Sequence, residues 1–416
     1  MIAQTASKFR SHLDHFSGRL SAGLGKVARR FVGEAMYGVA ARGSVRLTEI
    51  GRALEEAIPL DKTETRLSRN LAHEELGQHV GAAVLKEGAE RIKNRTLLIL
   101  DPSDLTKSYA RKMEYLAKVR DGSAGKITSG YWLCHVVGVE NNDNAIIPLH
   151  AHLYSQDAPG FLSENAEILM AVDQVSTACQ GRGVWVVDRG GDRGALLEPM
   201  IDQNRHFIIR QKGDRHLIWG KRLIATTALA SGCPLPYSSW IVREEQGRET
   251  RMDLAYGFRP VRLPGRPEAR LWLVVVKGLG EEPMMLLTNL PLRRRHKDVA
   301  WVVNSYLTRW RIEEAIRFIK QSYRLEDIRV LTYGRLRNMV VLVNAVAFFT
   351  TVILGTRLKL DILATHLMKA AKRVFGIPDF RFYALADGIR EVCARHPKRG
   401  PVSAASESSQ MAFDFW

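Results

Sequence analysis

Thr96-Leu97-Leu98-Ile99-Leu100-Asp101 and Val184-Trp185-Val186-Val187-Asp188 share one form, a short apolar run closed by an aspartate. Such a run, rich in branched side chains, suits a strand buried on both faces. An aspartate just past it stands at the rim of the sheet, where open α/β folds place their ligands. Moving outward, Tyr131–Val139 and Ala145–Leu153 are further apolar runs, separated by Asn141-Asn142-Asp143-Asn144. That is a hairpin signature, so these strands are expected to be antiparallel. Glu164–Cys179 reads as an amphipathic helix, and a helix over Gly194–Gln203 leads to a strand at His206–Arg210. Strands in a meander, then alternating with helices, predict an α/β fold: a mixed sheet flanked by helices.

The flanks differ in texture. Residues 1–95 are helical and basic, with apolar residues at helical spacing through Val27, Phe31, Met36 and Val39. Within them Ser44–Ile58 and Lys62–Leu76, on either side of Pro59 and Asp61, suit a helix-turn-helix whose second helix carries Arg66, Arg69 and Asn70. From Asp214 to Leu290, strand-like runs sit between Gly- and Pro-bearing turns. A long helix is expected over Asp298–Ser322, and others over Gly334–Gly355 and Leu358–Phe375. The expected organisation is a helical DNA-binding region over 1–95 and a catalytic core over 96–213 and 291–330. A β-rich insertion covers 214–290, C-terminal helices cover 331–396, and a small, polar tail covers 397–416.

The charge balance points to a partner. Lys and Arg number 61 against 44 Asp and Glu, a net charge of +17 among 416 residues. That excess suits a polyanion, with nucleic acid ahead of an anionic membrane surface, because no apolar run is long enough to span a bilayer. The four cysteines form no CxxC pair, and scattered thiols fit a reducing cytosol. The start of the chain lacks the apolar core of a signal peptide.

The chemistry concentrates in the two rim aspartates and one helix. Adjacent strands lie ~4.8 Å apart, so two rim carboxylates can share cations, and without one they would repel. Asp104, three residues beyond Asp101, competes for the first position; Asp101 is preferred because it abuts the strand. Asp192 in Asp188-Arg189-Gly190-Gly191-Asp192 reads as the N-cap of the following helix. On the helix expected over 298–322, Tyr306, Arg309, Glu313 and Lys320 project within an arc of roughly 60°. Pattern alone also suits a solvated charged face. Against that stand the tyrosine, the neighbouring Trp310, and an excess of twelve Lys or Arg over five acidic residues between Pro291 and Val340. Two divalent ions ~3.5–4 Å apart, held by three carboxylates, can clamp the attacking and leaving oxygens of a phosphodiester.

The segment Tyr306-Leu-Thr-Arg309-Trp-Arg-Ile-Glu313-Glu-Ala-Ile-Arg-Phe-Ile-Lys320 resembles the Tyr–Arg–Glu–Lys signature of one branch of bacterial insertion-sequence DDE transposases. Asp101 and Asp188 match that family's two strand-end aspartates in order. The 125 positions from Asp188 to Glu313 (313 − 188) leave room for the β-rich insertion of that branch. The resemblance covers about 95–350. It implies an RNase H-like fold and a DNA transposase that cuts and pastes an insertion sequence at terminal inverted repeats. Asp101, Asp188 and Glu313 would hold two Mg²⁺ ions, or Mn²⁺ in their place. Tyr306, Arg309 and Lys320 would grip phosphates, and Arg210 with Lys212 would contact the transposon end. The implied partners are double-stranded DNA and a second copy of the chain in a synaptic dimer, at the nucleoid of a bacterial cytoplasm. Relatives stack a flipped base on a Trp in the last insertion strand. Here that strand reads Pro283-Met284-Met285-Leu286-Leu287, and Trp240 and Trp272 are the nearest substitutes, both expected in the core. The same parts also suit a metal-dependent endonuclease without strand transfer, or an inactive DNA-binding derivative.

Overall fold

The computed structural model describes residues 2–122, 124–140, 145–245, 248–355, 358–371 and 381–396. The expected turn at Asn141–Asn144, the end of the helix expected to reach Phe375, and the tail 397–416 lie outside the described residues. Helices open the chain: α1 (Ile2–Leu20), α2 (Lys26–Arg42), α3 (Leu47–Leu54), α4 (Leu60–Leu71) and α5 (Leu76–Ala89). Strands follow: β1 (Leu97–Thr106), β2 (Ala117–Arg120), β3 (Ile127–Val139) and β4 (Ile146–Tyr154). Then come α6 (Glu164–Ala178), β5 (Val184–Val187), α7 (Gly194–Asp202) and β6 (Phe207–Arg210). A strand-rich stretch contains β7 (His216–Trp219), β8 (Arg222–Ala225), α8 (Thr226–Ser231), β9 (Tyr237–Glu245), β10 (Arg248–Leu263), β11 (Arg266–Lys277) and β12 (Met284–Thr288). The last helices are α9 (His296–Leu307), α10 (Trp310–Ser322), α11 (Tyr333–Thr351), α12 (Leu358–Lys369) and α13 (Phe382–Arg395).

The chain divides into two compact units, Met1–Val80 with Lys320–Trp416, and Gly81–Ile319. The first is helical and draws on both ends of the sequence. Its α2 is buried on most of its faces, and Phe16 packs on Phe348 and Phe349 with ring centroids 5.8 and 5.6 Å apart. The expected helix pair is present as α3 and α4, each shorter than the sequence suggested. Arg66 of α4 does not project from it as a DNA-reading cation. It is held by Glu34 at 2.6 Å and Glu56 at 2.8 Å, which clamps α4 to α2, while Arg69 is exposed.

The second unit is built on a sheet. Among the described residues the strands join in a twelve-stranded sheet of order β2-β3-β1-β5-β6-β12-β11-β10-β7-β8, with β4 on β3 and β9 on β10. β1, β3 and β4 are antiparallel in turn, as the hairpin pattern predicts, whereas β1, β5 and β6 run parallel. The all-apolar runs Leu97–Leu100 and Val184–Val187 are fully buried, as central strands covered on both faces must be. α6 covers one face. Ser163 caps it by accepting the Ala166 N–H, and Ser176 accepts the indole N–H of Trp185 at 3.2 Å. The strand-rich stretch continues this sheet: β12 pairs antiparallel with β6, Leu286 opposite Arg210.

Two local expectations are corrected. β1 does not end at Asp101 but runs to Thr106, because β3 supplies a partner as far as Gly130 although pairing to β5 stops at Ile99. The helix expected over 298–322 is two helices. At the junction the amides of Arg309, Arg311 and Ile312 bond three residues back, to Tyr306, Thr308 and Arg309. The Thr308 hydroxyl takes the Asn304 carbonyl at 2.8 Å, competing with the regular ladder at that turn.

Candidate active site

Asp101 lies in β1, and Asp188 directly follows β5, the neighbouring parallel strand. The β1–β5 register pairs Leu97 with Val184 and Ile99 with Val186, and continuing it two residues brings Asp101 level with Asp188. Asp104 is three residues further along β1, an odd step that turns it to the opposite face of the strand. There its Oδ1 accepts the Gly122 N–H at 3.2 Å.

Asp188 closes β5 and starts a single 3-10 turn over Arg189–Gly191, with its Oδ1 accepting the Gly190 N–H at 2.7 Å. Both glycines of this turn are required by close approach. A Cβ on Gly190 would lie 2.9 Å from Asp188 Oδ1, and one on Gly191 would lie 2.6 Å from Val187 Cγ1. The turn thus packs so tightly under the carboxylate that no larger residue fits, a feature the sequence carried as Gly-Gly but that was not singled out from it.

The helix junction brings the third carboxylate in. Tyr306 is buried in the last turn of α9, Arg309 lies in the break, and Glu313 is in the first turn of α10. Arg309 reaches both sides: Nη2 is 2.7 Å from Glu313 Oε1, and Nη1 is 3.7 Å from Asp101 Oδ1. Burial works against its charge, but Tyr306, Asp101 and Glu313 outweigh that and hold the guanidinium's pKa above its ordinary value. The amino end of α10 carries partial positive charge, which favours Glu313 there, whereas Arg309 lies between that end and the partially negative carboxyl end of α9. Trp310 is half-exposed beside this group, and Arg293–Lys297, which lead into the first turn of α9, are exposed, so cations line the approach along the chain. Lys320 is in the last turn of α10, in the helical unit, with Nζ 3.7 Å from Glu326.

The remaining predicted contacts lie past β6. Arg210 ends that strand, and the segment after it is anchored by Asp192. The N-cap of α7 is Arg193, so Asp192 does not cap that helix. Its carboxylate is instead enclosed, with 0% side-chain exposure, and points across to residues 212–215. Oδ2 accepts the Lys212 N–H at 2.8 Å, and Oδ1 takes Arg215 Nε at 2.9 Å and Nη2 at 2.8 Å. Of the two substitute tryptophans, Trp272 is buried as expected, but Trp240 is 57% exposed. β9 pairs only on its β10 side among the described strands, and its alternate residues Ser238, Trp240 and Val242 are exposed, with Arg251 over the Trp240 ring at 5.1 Å. All four cysteines are buried, and burial pushes the Cys134 thiol up to about 12 and the Cys179 thiol up to about 11, which fits inert core residues.

Asp101, Asp188 and Glu313 offer hard carboxylate oxygens, the donor type that suits Mg²⁺ or Mn²⁺, and two of them already share one cation in Arg309. In donor chemistry the set therefore fits a divalent ion. Among the described residues, no three His, Cys, Asp or Glu side chains are grouped ready to hold one.

Residues 150–349 match the family model for the transposase DDE domain. Asp188, Arg210, Lys212, Tyr306, Arg309, Glu313 and Lys320 lie within the matched segment, and Asp101 precedes it. No curated protein matches the chain. Among solved structures it resembles the cryo-EM structure of the piggyBac transposase synaptic complex with hairpin DNA, at 9% identity and a TM-score of 0.47, covering 93% of this chain and 79% of that one. Among the described residues, no helix is long and apolar enough to cross a membrane. The match over residues 150–349 is to a transposase DDE domain, and it supports an enzyme that acts on DNA.

Proposed function

We propose that the chain is the transposase of a bacterial insertion sequence, cutting DNA at terminal inverted repeats and joining the freed ends to a target. The observation that carries this reading is the convergence on Arg309. One guanidinium pairs with Asp101 on β1 and Glu313 on α10, while Asp188 directly follows β5, the strand parallel to β1. The strand order β4-β3-β1-β5-β6, antiparallel for the first three and parallel thereafter, supports an RNase H-like core. β7–β12 then form the insertion of that branch.

Asp101, Asp188 and Glu313 would hold two Mg²⁺ ions, with Mn²⁺ able to replace them. The ions supply an activated nucleophile and charge stabilisation on the leaving oxygen. The chain's own residues do the rest. Tyr306, Arg309 and Lys320 grip phosphates beside the cleaved bond, Arg309 through a bidentate fork and Lys320 as a point charge. Arg210 and Lys212 hold the strand further along. Two copies act together, each on one element end, in the bacterial nucleoid.

The test is metal-dependent cleavage of a duplex carrying the element's own end, followed by strand transfer from pre-cut ends. Glu313→Gln is expected to abolish cleavage and leave DNA affinity almost unchanged, because it removes a proposed metal ligand and no cation. Cleavage that survives this change overturns the assignment. Cleavage by the unmodified protein without strand transfer identifies an endonuclease instead.

A further inference from the structure

We infer that Arg309 is a built-in counter-cation that competes with the divalent metal for Asp101 and Glu313, so that the metal site is complete only when a phosphate draws the guanidinium away. The inference rests on the proposed metal-binding role of the three carboxylates and adds how that site is regulated.

The argument begins with where Arg309 sits. Arg309 lies between the carboxyl end of α9 and the amino end of α10, where the two helix dipoles offset each other, and its charge is disfavoured by burial. It is retained by two ion pairs, with Glu313 Oε1 at 2.7 Å and with Asp101 Oδ1 at 3.7 Å. Those two carboxylates come from elements more than 200 positions apart in sequence, and the guanidinium pairs with both. The bridge occupies an oxygen of each, and a divalent ion sharing both would meet a positive charge within a few ångströms. Metal and Arg309 are therefore expected to exclude one another in this rotamer. The Glu313 side chain is 51% exposed, so the bridge lies within reach of solvent and of an incoming backbone phosphate.

A phosphate offers the guanidinium the same fork geometry as a carboxylate. When DNA takes Arg309, the carboxylates lose their counter-charge and gain affinity for metal. By linkage, metal then raises affinity for DNA by the same factor. The consequence is a device that keeps the cleavage site weakly loaded until DNA is seated.

The test is Mn²⁺ binding to the full, DNA-free protein, followed by calorimetry and by the paramagnetic signal of free Mn²⁺. Arg309→Gln is expected to bind Mn²⁺ roughly tenfold or more tightly than the unmodified protein, since one charge-assisted bridge no longer competes. Arg309→Lys keeps the charge but loses the fork, and is expected to fall between; it serves equally if the glutamine variant does not fold. Equal affinity in the unmodified protein and both variants overturns the inference. Adding Asp188→Asn separates it from the reading beneath it. If the tightening survives that change undiminished, the ion does not use Asp188: the three-carboxylate site is refuted, while the competition at Asp101 and Glu313 stands. If Asp188→Asn removes the tightening, both stand.

Discussion

Asp192→Asn is a sharp probe of how the protein is assembled around its candidate site, because it preserves shape and removes only charge. The carboxylate is fully enclosed and faces donors on both oxygens, the Lys212 N–H on one and two nitrogens of Arg215 on the other. An amide in its place can turn its oxygen to one side only. Its NH₂ then faces a donor, either the Lys212 backbone or the Arg215 fork, and one hydrogen bond becomes a repulsion. Losing the charge-assisted pair costs ~1.5–3 kcal/mol, and an unsatisfied buried donor adds ~1–3 kcal/mol. Arg215 retains 21% side-chain exposure, so water recovers part of this, and the low end is appropriate: about 2.5 kcal/mol. For a unit of this size, that corresponds to a fall in Tm of roughly 5–10 °C. Thermal unfolding followed by circular dichroism measures it, with Arg215→Met alone and combined to isolate the pair. A loss of under ~1 kcal/mol, or a double-mutant coupling near zero, would refute the reasoning that this carboxylate is the anchor of residues 212–215.

Three further outcomes are expected. Gly191→Ala forces a methyl to within 2.6 Å of Val187 Cγ1 under the Asp188 turn, so urea unfolding is expected to show a loss of ~1–3 kcal/mol; an unchanged midpoint means that the turn is looser than its geometry states. His150, with an Nε2 enclosed and without a partner, is pushed down to about 4, by burial first and then by His152. The unfolded chain therefore binds the extra proton as pH falls from ~6.5 toward 4, stability declines across that window by ~2 kcal/mol, and a His150→Asn variant compared with the unmodified protein at pH 7 and pH 4.5 is expected to lack that share of the decline. Arg210→Ala is expected to reduce the slope of log affinity for duplex DNA against log salt by about one, and an identical slope removes Arg210 from the phosphate contacts.

Near-neighbour pattern was enough to read much of this protein. The apolar runs before Asp101 and Asp188, the hairpin of β3 and β4, and the alternation of α6, β5, α7 and β6 are local consequences of hydrophobic period and turn chemistry. They are accordingly legible along the chain. So is the spacing of Tyr306, Arg309, Glu313 and Lys320, although the sequence could not show that the helix breaks at Thr308 and Arg309. At that break the amides bond three residues back, a change of local hydrogen bonding too small to be visible in composition. What tertiary structure alone decided is the choice of partner for each charge. Arg66 reads as a DNA contact and is spent on Glu34 and Glu56. Asp192 reads as a helix cap and anchors Lys212 and Arg215. Trp240 reads as core and is exposed. Arg309 reads as one member of a helical stripe and bridges Asp101 to Glu313. A charged or aromatic side chain is satisfied by whatever the fold brings within a few ångströms, often from a hundred or more residues away, and no local pattern records that distance.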